Sequence, residues 1–348
     1  MPDTAPTSIE LATDGILLEV VTAGAAVRRL VLTDDGVADD SAHDDGAAED
    51  GVAVDVVLGF GDTAAYGTGV DYLGATIGRY GNRIAGAAFT LDGVEHSLVA
   101  NESGNALHGG LEGFDQREWT VVEQDDQHVQ LALHSPDGDQ GFPGTLDVTV
   151  TYSVEPGLVR IDYTATTDRD TVVNLTNHTY FNLDGEASGP VDDHVLTVSA
   201  DAFTVAGPAL LPTGELRDVA GTPFDLRTPT RIGDVLARAD EQLALGGGLD
   251  HNLVVRGSGL RHVATLRGRS GRMLVVESDQ PGMQVYSGAH FNGTVIGTSG
   301  TAYGPRAGIA LETQGFPDAP NQPDFPSTVL RAGDRLVSTT IWRLVRGT

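Results

Sequence analysis

The chain contains no cysteine and no lysine. Without thiols it can build neither a disulfide framework nor a thiolate zinc site. Without lysine, all 21 of its basic residues are arginine, set against 49 acidic residues, and the formal net charge is -28. A surface of that sign repels nucleic acid and anionic membrane, so neither is an expected partner. Long hydrophobic runs are missing too. No segment approaches the roughly 18 consecutive apolar residues that span a bilayer, and the opening MPDTAPTSIELATDG lacks a basic stretch followed by an apolar one. The expectation is a soluble cytoplasmic protein.

Ordinary acidic proteins keep their lysines, whereas this chain has none. In dilute buffer its self-repulsion opposes compaction. In molar salt the Debye length falls to about 3 Å and the repulsion is screened. The composition therefore reads as that of a protein from a salt-accumulating, haloarchaeal-type source.

Strand signals dominate what is present. Leu146 to Val154 alternates apolar and polar residues without a break, Glu155-Pro156-Gly157 is a turn, and Leu158 to Tyr163 returns as the partner strand. Similar hairpins are expected at Phe89 to Leu91 with Asp92-Gly93, at Trp119 to Glu123 with Asp125-Asp126, and at Val263 to Arg267 with Ser270-Gly271. Helix signals are few, the best being Arg231 to Arg238. The fold class expected is all-β, a large antiparallel β-sandwich with few short helices. No linker divides the 348 residues into two cores, so they are expected to form a single domain. The acidic run Asp34 to Asp55 is too poor in large apolar residues to pack, and reads as an exposed, mobile loop between two strands. It lacks the ordered acidic spacing and closing glutamate of an EF-hand calcium loop.

Two stretches carry candidate chemistry. In VNLTNHTYFNL, residues 173 to 183, Asn174-Leu175-Thr176 and Asn177-His178-Thr179 match the acceptor pattern for N-linked sugar, as does Asn292-Gly293-Thr294 elsewhere. Such sites are filled only on exported chains. Read by strand parity, Val173, Leu175, Phe181 and Leu183 form an apolar face, and Asn174, Thr176, His178, Tyr180 and Asn182 form a row of hydrogen-bonding groups. That row suits a wet cleft lined for a polyol, although a structural histidine held by asparagines fits the stretch equally well. In Gly308 to Pro317, strand parity places Glu312 among small and apolar neighbours, where desolvation raises a carboxylate's pKa and makes it a stronger base. A glutamate on a solvated strand face is the alternative.

Six segments in order then resemble one family. They are GATIGRYGNRIAG (74 to 86), NALHGGLEGFDQREW (105 to 119), NLTNHTYFNL (174 to 183), LDHNLVV (249 to 255), QPGMQVYSG (280 to 288) and LETQGFPDAPNQPDFPS (311 to 327). Together they resemble the aldose 1-epimerases, also called galactose mutarotases. The resemblance implies that His178 is the general acid, that Glu312 is the general base, and that Asn82, Arg83, His108, Asp250 and Gln284 bind the sugar. It implies a free monosaccharide substrate, a hexose such as galactose or glucose or a pentose, with no cofactor and no metal. A histidine's reference pKa near 6.5 and the raised pKa of a desolvated glutamate would both approach neutrality. Without the motifs, Arg83 would read as a strand-end ion pair and His108 as a turn histidine. Two rival functions share the fold: a hexose-6-phosphate 1-epimerase, which would need extra cations for the phosphate, and a sugar-binding sandwich without turnover. Oligomeric state is not legible in the sequence.

Overall fold

The computed structural model describes residues 6–33, 53–68 and 71–346, together with the backbone of Ala38–Asp39. The expected hairpins form. Strand Leu146–Glu155 alternates buried and more exposed side chains along its length, pairs with Leu158–Thr167, and closes at Glu155 opposite Leu158. Gly157 takes up the left-handed backbone of the turn, φ +69°. Strands Ala88–Leu91 and Val94–Ser97, Thr120–Gln124 and His128–Ser135, and Arg261–Arg267 and Arg272–Ser278 make the other three hairpins.

Two large sheets organise the chain. One has ten strands. Its main path runs, by residue range, 120–124, 128–135, 146–155, 158–167, 335–346, 272–278, 261–267, 195–198 and 230–231, and Ala38–Asp39 pairs in parallel with the end of strand Arg335–Arg346. The other has six strands in the order 180–181, 309–314, 282–286, 250–255, 200–206 and 212–218, all antiparallel. A smaller antiparallel sheet joins 8–13, 16–21, 26–32 and 54–55. The back of the six-stranded sheet packs on the ten-stranded one. Ile309 and Leu311 enter the main hydrophobic cluster, the Phe181 ring stands edge-on to Trp342 at 5.0 Å, and the Thr313 and Thr340 hydroxyls meet at 2.6 Å. That cluster draws on residues from Ile9 to Leu344, so chain termini and middle share one core.

Two expectations are corrected, and one helix is added. The helix expected over Arg231 to Arg238 spans only Ile232–Leu236, because Arg231 is extended and supplies no side-chain cap. A second short helix, Glu241–Gly246, went unread in the sequence, although Asp240 caps it by accepting from the backbone N–H of Gln242 and Leu243, and Gly247 ends it in a left-handed turn. The acidic run is also shorter than expected, since Val54–Asp55 is a strand. Asp55 accepts from the Leu30 backbone N–H at 3.1 Å and pairs with Arg29 at 3.2 Å. Residues 34–37 and 40–52, on which the readings of a mobile loop and a calcium loop fall, lie outside the described residues.

Candidate active site

Sheet register assembles the site. In the six-stranded sheet, Tyr180, Ala310, Tyr286 and Asp250 are successive cross-strand partners and share a face. Two residues along, Glu312, Gln284 and Asn252 form the next row on that face. Extending the Tyr180–Ala310 pairing by two residues sets His178 opposite Glu312, and His178 Nε2 lies 3.5 Å from Glu312 Oε1. The remaining segments arrive through two-residue ladders. Thr176–Asn177 pairs with Thr76–Ile77, and Arg83–Ile84 pairs with Ala106–Leu107, which puts Arg83 directly across from Leu107 and beside His108.

The stretch VNLTNHTYFNL departs from the alternating strand expected of it. Only Thr176–Asn177 and Tyr180–Phe181 are strand, and every residue from Val172 to Leu183 is buried, so the segment has no solvated face. His178 and Tyr180 reach the cleft, while the asparagines are turned to backbone groups. Asn174 donates to the carbonyls of Gly81 at 2.9 Å and Gly315 at 3.3 Å, and accepts from the Gly315 N–H at 2.7 Å. Asn177 donates to the Gly74 carbonyl and Tyr152 hydroxyl, and Asn182 to the Gly189 and Ala307 carbonyls. Gly74 is required where it stands. Its φ is +68°, and a Cβ there would lie 1.8 Å from the Val27 carbonyl oxygen. Its N–H in turn holds the His178 carbonyl. With both side chains buried and fully bonded, neither Asn174 nor Asn177 is an acceptor for glycosylation in the folded chain.

The cleft encloses about 270 Å³ and is lined by Asn82, Arg83, His108, His178, Asp250 and Glu312, together with Tyr72, Glu102, Leu107, Tyr180, Tyr286 and His290. A volume near the lower end for small-molecule sites suits one monosaccharide unit. Larger hollows exist, such as one of about 490 Å³ bounded by Asn174, Gln280, Thr328, Arg335 and Ser338, but it brings no acid–base pair together. Six of the seven residues singled out in the sequence line the 270 Å³ cleft. Gln284 stands just behind, donating from Nε2 to Asp250 Oδ1 at 2.6 Å and bordering a smaller cavity with Asn82, Asp250 and Asn252.

Burial sets the electrostatics. It drives the Glu312 carboxyl well above its ordinary range, with the Asp250 charge adding to the rise and Arg83 opposing it. It also pulls the His178 imidazolium down to about 3, correcting the expectation that both groups sit near neutrality. Burial thus favours the proton on Glu312 and a neutral His178. Burial also holds His108 well below 6.5, with His178 and Arg83 contributing, and raises Asp250 against the pull of Arg83 and Gln284. Burial opposes the Arg83 charge most strongly, but the two hydrogen bonds that Glu102 accepts from the guanidinium, at 2.7 and 2.6 Å, together with the nearby Asp250 and Glu102 charges, outweigh it. Arg83 is therefore both the ion-paired arginine and a cleft residue.

His108 has a definite tautomer. The Asn82 backbone N–H donates to its Nδ1 at 3.1 Å, so the neutral ring carries its hydrogen on Nε2. Asn82 and His108 both hold left-handed backbone, φ +64° and +51°, which asparagine and histidine tolerate better than most residues. His108, His178 and Glu312 place one potential metal-ligand atom each within 4.8 Å of one another. Nε2 of His108, however, could ligate a cation only if Nδ1 took the hydrogen, which would oppose two N–H groups at Asn82. The tautomer argues for a donor to substrate rather than a ligand. Glu312 Oε2, Gln284 Oε1 and His178 Nδ1 are buried with no hydrogen-bond partner in the protein, which leaves polar capacity for a ligand rich in hydroxyls.

Glu102, Tyr72, Tyr286 and His290 were missed in the sequence. Tyr286 was accessible, since it shares strand parity with Gln284 inside QPGMQVYSG. Tyr72 lies two residues before GATIGRYGNRIAG, and its ring packs 4.6 Å from His108 and 5.7 Å from His178. Glu102 and His290 sit in loops with no periodic signal.

The chain is similar to known proteins. Residues 47–343 match the family model described as aldose 1-epimerase. The chain is 44% identical over 288 residues, 82% of each chain, to galactose mutarotase from Homo sapiens. It is 39% identical over 298 residues to aldose 1-epimerase from Escherichia coli K12, covering 84% of this chain and 85% of that one. Among solved structures it is similar to an aldose epimerase homologue from C. elegans, with a TM-score of 0.88, 28% identity and coverage of 99% of this chain and 100% of that one.

Proposed function

The chain belongs to the aldose 1-epimerase family, and on that premise we propose that Glu312 is the base and His178 the acid of its anomer interconversion. The enzyme is an isomerase that interconverts the α and β anomers of free aldoses. A pyranose changes anomer by opening and reclosing. One group takes the proton of the C1 hydroxyl and another protonates the ring oxygen. Those two oxygens sit on the same carbon, so the acid and base must be close neighbours. The observation that carries the assignment is the buried His178–Glu312 contact at 3.5 Å.

The proton count fits. Opening starts with ionised Glu312 and protonated His178, and ends with the proton on Glu312 and His178 neutral, the form that burial favours. Rotation about C1–C2 turns the carbonyl, and the reverse transfers close the ring as the other anomer. A bound sugar donates its C1 hydroxyl to Glu312, which stabilises the ionised carboxylate needed to begin. His108 Nε2–H and the clamped Arg83 donate to sugar oxygens, and Asp250, held by Gln284, accepts from hydroxyls. These transfers involve no hydride or phosphoryl group.

Galactose is the sugar in the name of the human relative, and galactose and glucose are the first substrates to test. Among the described residues lining the cleft, the one arginine is already paired with Glu102, which leaves no unpaired guanidinium for a phosphate. This supports a free sugar over a hexose 6-phosphate. The intact acid–base pair supports turnover over binding alone. The lysine-free surface with a charge of -28 supports a cytoplasm rich in salt as the working environment.

The test is polarimetry or NMR of freshly dissolved α-D-galactose and α-D-glucose in molar potassium chloride, with glucose 6-phosphate alongside. His178→Asn and Glu312→Gln should each lower the catalysed rate by about 10²- to 10⁴-fold while sugar binding persists. Unchanged activity in either variant would overturn the assignment of roles.

A further inference from the structure

The cleft wall contains a hydrogen-bonded chain that the acid–base pair does not use. Tyr286 is the register partner of both Asp250 and Ala310, so it stands on the cleft face one row from Glu312. Its hydroxyl meets His290 twice. The His290 backbone N–H donates to it at 3.2 Å, and His290 Nδ1 lies 2.7 Å away. On the other side of the ring, His290 Nε2 faces Asp71 Oδ1 at 3.3 Å. The His290 ring lies nearly parallel to Tyr286, 5.6 Å between centroids at 17°, and packs on Phe291 at 4.1 Å. Asp71 precedes Tyr72, whose ring covers His108 and His178, so one short segment touches both sides of the cleft.

The partners fix one another's hydrogens. An ionised carboxylate only accepts, so in the neutral ring Nε2 carries the hydrogen toward Asp71 and Nδ1 offers a lone pair. The phenol keeps its proton, because burial pushes its pKa up to about 12, and donates it to Nδ1. One of its two lone pairs is filled by the His290 N–H, which leaves the other. With the His290 ring neutral, Tyr286 is thus an acceptor and not a donor toward a ligand.

We infer that Tyr286 is a further sugar-contacting residue, accepting a hydrogen bond from a hydroxyl remote from C1, and that His290 and Asp71 are positioning residues that hold it in that role. The inference rests on the mutarotase reading of the same cleft. One row along the strands is about 7 Å, too far from Glu312 to serve the two oxygens on C1 and comparable to the reach across a pyranose ring.

The experiment measures mutarotation kinetics of wild type, Tyr286→Phe, His290→Phe and the double variant on galactose and on its 3-, 4- and 6-deoxy analogues, with thermal unfolding of each protein. Both substitutions keep a ring in place. Tyr286→Phe is expected to lower kcat/KM for galactose roughly 3- to 10-fold, carried by KM, and the penalty should vanish for the one deoxy sugar that lacks the partner hydroxyl. His290→Phe should cost a similar factor alone and nothing further in the Tyr286→Phe background. A wild-type rate for Tyr286→Phe, a penalty equal on every sugar, or additive single effects would overturn the inference. An inactive wild type would instead overturn the functional reading beneath it.

Discussion

Asn174 offers the sharpest test of how the cleft is held, because one side chain serves two of its segments. It donates to the Gly81 carbonyl just before Asn82-Arg83, and it both donates to and accepts from Gly315 just beyond Glu312. In Asn174→Ala the buried Gly315 N–H is left without its partner, at about 1–3 kcal/mol, and two carbonyls lose a bond worth about 1 kcal/mol each. The sum is about 3–5 kcal/mol, a large share of the 5–15 kcal/mol typical of a folded protein. With about 2.1 cal/mol/K of unfolding entropy per residue, a chain of 348 residues should lose about 4–7 °C in Tm. Thermal melts by circular dichroism in molar potassium chloride read this directly, and kcat should fall as the two segments drift apart. Asn174→Asp separates hydrogen bonding from packing. An aspartate there would present an acceptor to two carbonyls, so burial raises its folded pKa above the unfolded 3.9. The sign follows: its stability is fully present below the unfolded pKa and lost as pH rises through the folded one, so its deficit against wild type should widen from pH 4 to pH 7. An alanine variant within about 1 kcal/mol of wild type, or a pH-independent deficit in the aspartate variant, would refute the account.

Glu312→Gln should gain Tm relative to wild type as pH rises from weakly acid to weakly alkaline, since the raised native pKa of Glu312 makes its ionisation cost stability there and glutamine does not titrate. A constant difference across pH would contradict the raised pKa. Glu102→Gln weakens the clamp on Arg83. With the Glu102 side chain 31% exposed, the loss is about 1 kcal/mol, or roughly fivefold, and should appear in KM for galactose more than in kcat. Raising potassium chloride from about 0.1 M to about 2 M shortens the Debye length severalfold and should raise Tm progressively at a net charge of -28; a flat or falling Tm would remove the salt-dependent reading of the surface.

Much of the fold could be read from short-range rules. Period-two alternation in Leu146–Glu155, a Pro-Gly turn and the return strand need only neighbours in sequence to be recognised, and all of them formed. Pairing between distant strands was not legible. Nothing local to Thr76–Ile77 states that it will pair with Thr176–Asn177, because that ladder is two residues long and is held from outside by Asn177 on Gly74. For the same reason parity misjudged VNLTNHTYFNL. A broken strand enclosed on both sides needs its polar groups as internal ties, and only His178 and Tyr180 were free to face the cleft.

The site shows the same division with a chemical consequence. Residue types at motif positions pointed to His178 and Glu312, but reference pKa values describe groups in water, and both side chains are withdrawn from it. Desolvation acts on charge of either sign, so it moves an acid up and a base down, and a buried acid–base pair is driven toward its neutral form. With Glu312 as the proposed base and His178 as the proposed acid, that form is the product state of ring opening. The energy to reach the charged starting state must then come from groups that appear only with the sugar, chiefly the C1 hydroxyl donating to Glu312. Sugars that cannot place that hydroxyl correctly should bind without being turned over, which makes the orientation proposed for Arg83, His108 and Asp250 a matter of rate as well as affinity.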